Sequence, residues 1–141
     1  IQLTLSQKIP VAGAVIVTTP QDIALLDALK GYKMFEKVNV HVLGVIENMS
    51  TFVCPHCNEE TALFGDGGGA DMADKYNLPL LGQLALNASI RLRADEGNPS
   101  VVADPEGPAA CEFTNIARNM AAGLSLRKKD YKKSFPKIVV E

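Results

Sequence analysis

No run of apolar residues in this 141-residue sequence approaches the roughly 20 that cross a bilayer, and no signal-peptide pattern opens it. The chain is therefore not expected to have a membrane partner. Cysteine is scarce: three residues are too few and too unevenly spaced for a secreted disulfide framework, so a reducing cytoplasm is the expected compartment. Positive charge is not in excess either. A formal net charge of −2 gives no electrostatic basis for binding nucleic acid, which needs concentrated cations. Any G-x-x-x-x-G-K-[ST] phosphate loop is missing, so the chain alone is not expected to grip nucleotide phosphates well. An initiator Met is absent too: Ile1-Gln2-Leu3 opens inside an apolar pattern, and the expectation is a fragment, a processed product or a trimmed chain.

What is present is an ordinary globular composition, 47% hydrophobic and 21% charged, enough at this length for one buried core. Val11 to Val17 is a short uninterrupted apolar run, the pattern of a strand covered on both faces. Thr19 is placed to cap a helix beginning at Pro20, with Asp22 favourable in its first turn. From Ile23 to about Phe35 the spacing is helical, with Leu25, Leu29 and Tyr32 on one stripe. His41 to Ile46 predicts a second buried strand, and the strand–helix–strand unit implies a right-handed crossover. Glu47 to Gly69 reads as irregular. Then come a short helix over Gly68 to Tyr76, a strand from Leu80 to Leu84, and a helix over Ser89 to Glu96 stopped by Gly97-Asn98-Pro99. Phe113, Ile116, Ala117, Met120, Ala121 and Leu124 mark a final amphipathic helix. The alternation predicts an α/β fold, one mostly parallel sheet with helices on both faces. Residues 1–126 are expected to form the domain and 127–141 a basic tail. Residues 127–137 hold six basic side chains against Asp130; without these and Glu141, the body has 8 basic against 14 acidic residues. A solvated helix end explains such a run, with an anionic partner or membrane surface as the alternative.

Cys54-Pro55-His56-Cys57 is the most informative segment. Two intervening residues let both sulfurs face one metal from a tight turn. The pair supplies two ligands, whereas tetrahedral zinc takes four and a [4Fe–4S] cluster usually four thiolates. Cys111 falls in the terminal helix and is expected to pack as a small buried hydrophobe. His56, inside the spacer, is not expected to reach the same metal, and His41 at a strand start reads as structural. A two-fold dimer would bring two such pairs face to face on its axis. A cluster held there would be exposed and releasable, which suits a carrier. Three alternatives stay open: a redox dithiol, a structural zinc shared across a dimer, and unliganded cysteines. The dithiol wants its first cysteine at a helix N-terminus, and residues 58–64 run into glycines too soon for that helix. Gly65 to Ala70 formally fits G-x-G-x-x-A, but residues 85–90 hold no acidic side chain at the distance a dinucleotide site wants; a tight turn into the helix is expected.

Taken in order, Val15-Ile-Val-Thr-Thr-Pro-Gln-Asp-Ile-Ala-Leu25 with Asp27 and Lys30-Gly31, Gly44-Val-Ile-Glu-Asn-Met-Ser50, the cysteine pair, Phe64-Gly-Asp-Gly-Gly-Gly69, Leu81-Gly-Gln-Leu84 and Ser89-Ile90-Arg91 resemble the Mrp/ApbC iron–sulfur cluster carriers. These are deviant P-loop ATPases related to MinD and ParA. The resemblance runs to about Leu124 and implies the C-terminal part of a P-loop-type α/β domain. It implies a homodimer that binds ATP with magnesium in the full-length protein, holds a labile [4Fe–4S] cluster between subunits and passes it to apo iron–sulfur proteins. Cys54 and Cys57 correspond to the cluster ligands, with zinc as a substitute. Asn48 corresponds to the adenine-contacting asparagine, with a turn-forming role as the alternative. Asp22, Asp27 and Lys30 match family positions, and an exposed ion pair or helix support is expected of them. The family's phosphate loop, switch residues and magnesium-binding aspartate have no counterpart here, and Ala85 stands where relatives often carry proline. The sheet is thus expected to lack its first strands and expose an edge, and ATP hydrolysis by this chain alone is not expected. The rival functions are a MinD/ParA-like positioning or interaction module with a structural zinc, and a thiol oxidoreductase.

Overall fold

The computed structural model describes residues 4, 8–57 and 59–127. The basic tail beyond Arg127 lies outside the described residues. In order, the elements are β1 (Ala14–Thr18), α1 (Asp22–Lys37), β2 (Val42–Val53), β3 (Glu60–Thr61), α2 (Gly68–Lys75), β4 (Leu80–Leu86), α3 (Ala88–Asp95), α4 (Ser100–Ala103) and α5 (Pro108–Ser125). β2 is central. It pairs in parallel with β1 on one side and β4 on the other, and its far end pairs antiparallel with β3.

The sheet is covered on both faces at β2 and β4, but β1 departs from the expectation for Val11 to Val17: it begins at Ala14, and Val17 is 60% exposed. On one face Ile16, Val42, Val45, Met72 and Ala73 form a buried cluster, closed by Leu25, Ala28, Tyr32 and Phe35 of α1. On the other, Leu81 and Leu84 of β4 meet Ile116 of α5, with Val15, Ile46 and Phe113 around them. Both α1 and α2 end on an asparagine in the left-handed region, Asn39 at φ 55° and Asn77 at φ 52°. That conformation is least costly for Asn among residues bearing a side chain, and it lets the next N–H close back: Val40 onto Phe35 O at 3.0 Å, Leu78 onto Ala73 O at 2.8 Å.

Several boundaries differ from the expectation. Helix α1 starts two residues after Pro20, because Gln21 is extended (φ −64°, ψ 137°) and its carbonyl takes the Ala24 and Leu25 N–H groups. The Thr19 hydroxyl therefore caps no helix; it bonds to the Gln21 side chain. Strand β2 does not stop at Ile46 but continues to Val53, so the stretch expected to be irregular holds the second half of one strand and all of another. Polar residues conceal it, and they are tolerated because they have partners: Ser50 Oγ donates to Leu84 O at 3.2 Å, and Glu47 is held as described below. Cys111 is exposed rather than packed. The face of α5 that turns inward carries Ala110 and Ile116, and one residue beyond Ala110 the helix has already rotated away from it. The short helix α4 had no counterpart in the sequence reading.

Candidate functional site

The cysteine pair sits on a β-hairpin. β2 ends at Val53, the chain turns through Cys54 to Cys57, and β3 returns with Phe52 opposite Thr61 and Val53 opposite Glu60. The Cys54 N–H closes the turn onto Glu59 O at 2.9 Å. Cys54 is half-buried and Cys57 exposed; both are free thiols. The backbone N–H groups of His56 and then Cys57 point at the Cys54 sulfur, and the Cys57 thiol donates to it as well. These donors outweigh desolvation and hold the Cys54 thiol below its ordinary value. The turn is thus built to favour a thiolate, the form that ligates soft metals and attacks electrophiles. Among the described residues no group of three or more His, Cys, Asp or Glu side chains gathers at one point. Cys111 belongs to the first turn of α5, its sulfur 3.8 Å from Glu106 O, and the structure does not bring it to the pair.

Asn48 stands on the same strand, six residues earlier, but the chain between them is not fully extended: Met49 is left-handed, and Asn48 and Phe52 face Leu84 and Leu86, only two residues apart on β4. A cavity of about 540 Å³ runs along the edge strand β1 from Val15 to Thr19 and beside α1 from Ala24 to Phe35, with Asn48 toward the carboxyl end. Crevices beyond the carboxyl ends of parallel strands are where such sheets bind ligands. The Met49 N–H donates to Asn48 Oδ1 at 3.0 Å, so this amide is already oriented. Asp27 accepts from Lys30 Nζ at 2.9 Å in a pair exposed on both sides, as expected. Thr18 was not singled out from the sequence and Thr19 only as a helix cap; both line the cavity, the Thr18 hydroxyl donating to Thr19 O and the Thr19 hydroxyl to the Gln21 side chain.

Glu47 is the residue sequence reasoning passed over. It is fully buried at 0% exposure, yet it is an acid in the middle of a strand. Its carboxylate accepts from the Gly69 N–H, at the start of α2, and from Gln83 Nε2 on β4 at 2.7 Å. A buried carboxylate is tolerated only where donors replace water, and the positive end of a helix is such a place. The glycine turn before α2 makes this approach possible. Gly67 caps the helix from the left-handed region at φ 69°, and a Cβ on Gly69 would lie 2.8 Å from Glu47 Cβ. The signal that could have found Glu47 is the lone acid between Ile46 and Asn48, in a stretch that otherwise reads as buried.

A parallel sheet with a mainly apolar cleft along its edge strand β1, and a paired-thiol hairpin grown from its central strand, make an α/β domain of the P-loop NTPase type. Residues 1–121 match the ParA family model described as NUBPL iron-transfer P-loop NTPase, and the chain belongs to that family. It is 55% identical over 124 residues to an iron-sulfur cluster carrier protein of Haemophilus influenzae, covering 88% of this chain and 34% of that protein. It is 48% identical over 124 residues to the iron-sulfur cluster transfer protein NUBPL of Mus musculus, covering 88% and 39%. Among solved structures, a nucleotide-binding protein from Archaeoglobus fulgidus in complex with ADP superposes with a TM-score of 0.64 at 36% identity, covering 79% of this chain and 44% of that one. The cell division ATPase MinD of Pyrococcus furiosus, at 24% identity and TM-score 0.62 over 79% of this chain and 43% of its own, shares the fold. The chain therefore spans well under half the length of these relatives.

Proposed function

We propose that this chain is the C-terminal part of an iron–sulfur cluster carrier, in which Cys54 and Cys57 supply half the ligands of a transferable [4Fe–4S] cluster held between two subunits. The cluster is cargo, to be handed to apo iron–sulfur proteins. One observation carries the reading: two free thiols, one half-buried and one exposed, share a single hairpin turn, with no further ligand gathered there among the described residues. Two sulfurs leave a cubane two short, and a second copy related by a two-fold axis brings the missing pair. The relatives named for cluster carriage and transfer support the cargo. A reducing compartment, for which we propose the cytoplasm, keeps such thiols available.

The cavity beside Asn48 suits the base of a nucleotide better than its phosphates, because an amide faces it and no phosphate loop exists in the sequence. We assign Asn48 to the adenine of ATP in the complete protein and assign the magnesium ion no residue here. ATP binding and hydrolysis belong to the complete protein, and residues 1–126 form its C-terminal portion. Anaerobic reconstitution with iron and sulfide tests the carrier reading. The expected product holds about four irons per dimer, passes them to an apo-acceptor, and is lost in Cys54→Ser or Cys57→Ser. Retention of zinc with no uptake of iron would instead favour a positioning module of the MinD/ParA kind.

A further inference from the structure

On its α5 side the sheet is covered unevenly. Helix α5 packs on β4 and β2, whereas the helix that packs on β1 is α1, on the opposite face. Strand residues alternate with a period of two, so Val15 and Val17 share one face of β1. Val15 packs against the cluster of Leu81, Leu84 and Ile116, which sets that face on the α5 side, and Val17 is 60% exposed there. The nearer flank of α5 is open as well. Asn119 faces β4, donating from Nδ2 to Leu81 O at 2.9 Å. Thr114, Ala117 and Ala121 lie roughly 140–160° around the helix from Asn119, so they look away from β4 and toward the β1 side. With Phe113 and with Val101 of α4 they line a mostly apolar groove of about 570 Å³. Their spacing follows one stripe of the helix, and their small size lets a second helix approach closely. Two polar groups border the groove. Ser100 of α4 is 5% exposed, and its hydroxyl has no hydrogen-bond partner among the described residues, an uncommon state for a buried hydroxyl. Arg118 is exposed, and among the described residues no carboxylate comes within ion-pair distance of it.

We propose that this flank of α5 is a docking surface for an amphipathic helix, whose apolar stripe fills the groove and whose acidic residue meets Arg118, supplied by the part of the complete protein outside these 141 residues. The proposal rests on the reading of the chain as one portion of a longer carrier; it covers 34% of the Haemophilus influenzae relative, so a protein of that length has ample chain to supply the helix. The test titrates the 141-residue chain with overlapping peptides of about 20 residues, roughly 30 Å as helix, drawn from the part of that relative which the chain does not match, and follows amide resonances by NMR. One amphipathic, acidic peptide should shift Val101, Thr114, Ala117 and Ala121 and leave the turn from Cys54 to Cys57 unmoved. Arg118→Glu should weaken its binding about tenfold through like-charge repulsion. Ala117→Leu should abolish the shifts by filling the groove, yet keep the wild-type urea midpoint, because the larger side chain enters open space. If no peptide shifts these residues, or if both variants bind as the wild type does, the proposal is overturned. A lowered midpoint in Ala117→Leu would show a flank already packed and overturns it too. Iron uptake at Cys54 and Cys57 is read separately. Docking without uptake keeps this surface and removes the cluster-carrier reading, whereas uptake without docking keeps the carrier and removes the surface.

Discussion

Replacing Glu47 with Ala should destabilise the fold by about 3 kcal/mol, while Glu47→Gln should cost only about 1 kcal/mol. The difference follows from what each substitution leaves behind. In the alanine variant the Gly69 N–H, in a buried residue at the start of α2, loses its acceptor. An unsatisfied buried donor costs about 1–3 kcal/mol, and loss of a carboxylate at a helix N-terminus adds up to about 1 kcal/mol. Gln83 is exposed and can turn its amide to water, so its bond adds little. The glutamine variant keeps an oxygen for Gly69, and the Gln83 amide can flip to accept from the new side chain. Only the charge assistance is lost, partly offset because a charge no longer has to be buried. Urea unfolding followed by far-ultraviolet circular dichroism measures both, with equal slopes required for comparison. A difference of about 2 kcal/mol is a large share of the 5–15 kcal/mol typical of a whole domain and is readily resolved. If Glu47→Ala lay within about 0.5 kcal/mol of wild type, or if Gln and Ala were equally damaging, the carboxylate would not be holding α2 against the sheet, and the reasoning would fail.

Two further outcomes follow from the same geometry. Gly69→Ala should cost about 2 kcal/mol, because the new Cβ would stand 2.8 Å from Glu47 Cβ and 2.9 Å from Glu47 Oε2; combined with Glu47→Ala in the same urea assay, the loss should be less than additive. At Cys54 the folded chain favours the thiolate, so the pH midpoint of iodoacetamide labelling, read by mass spectrometry, should lie below that of the same cysteine in urea. The sign for stability is that of a depressed acid: the contribution is complete above the unfolded value and is lost as pH falls through the folded one. Equal midpoints in the folded and unfolded chain would show that the turn does not organise donors around the sulfur.

The fold class, all three parallel strands and the main helices were legible because the strands are short uninterrupted apolar runs and the helices keep a period of 3.6, as Leu25 and Tyr32 do on α1. The second half of β2 was not. Glu47, Asn48 and Ser50 interrupt the apolar run, and in one dimension a polar residue with a buried partner looks the same as one in a loop. Gly69 and Leu84, which satisfy two of them, lie 22 and 34 residues away. Cys111 failed for the opposite reason. Its residue type argues for burial, but its place on α5 falls beside the buried stripe of Ala110 and Ile116, and helical phase outweighs type. That Cys54 and Cys57 share one turn was readable because a two-residue spacer is local, and the structure places both on the turn after Val53. That the turn joins two strands, and grows from the strand carrying Asn48, was hidden by the same polar residues that concealed the end of β2.

That shared strand constrains how the two candidate sites can act together. β1 ends at Thr18, opposite Glu47, and at this level the sheet opens into the cavity. β2 does not end there. It runs on through Val53, steadied by the Ser50 bond to Leu84 and by Phe52 opposite Leu86, and only then turns at the thiols. The bulge shortens the path between the two sites: the four steps of β2 from Asn48 to Phe52 match two steps of β4, roughly 7 Å, and two more steps reach Cys54. Any influence of one on the other through this chain needs a physical route, and β2 is the continuous one. Its pairing slips opposite Ala14 and Val15 of β1, between Val45 and Ile46, and between Asn48 and Phe52, the last at the left-handed Met49. A displacement of Asn48 therefore meets the last of these slips before it reaches the hairpin.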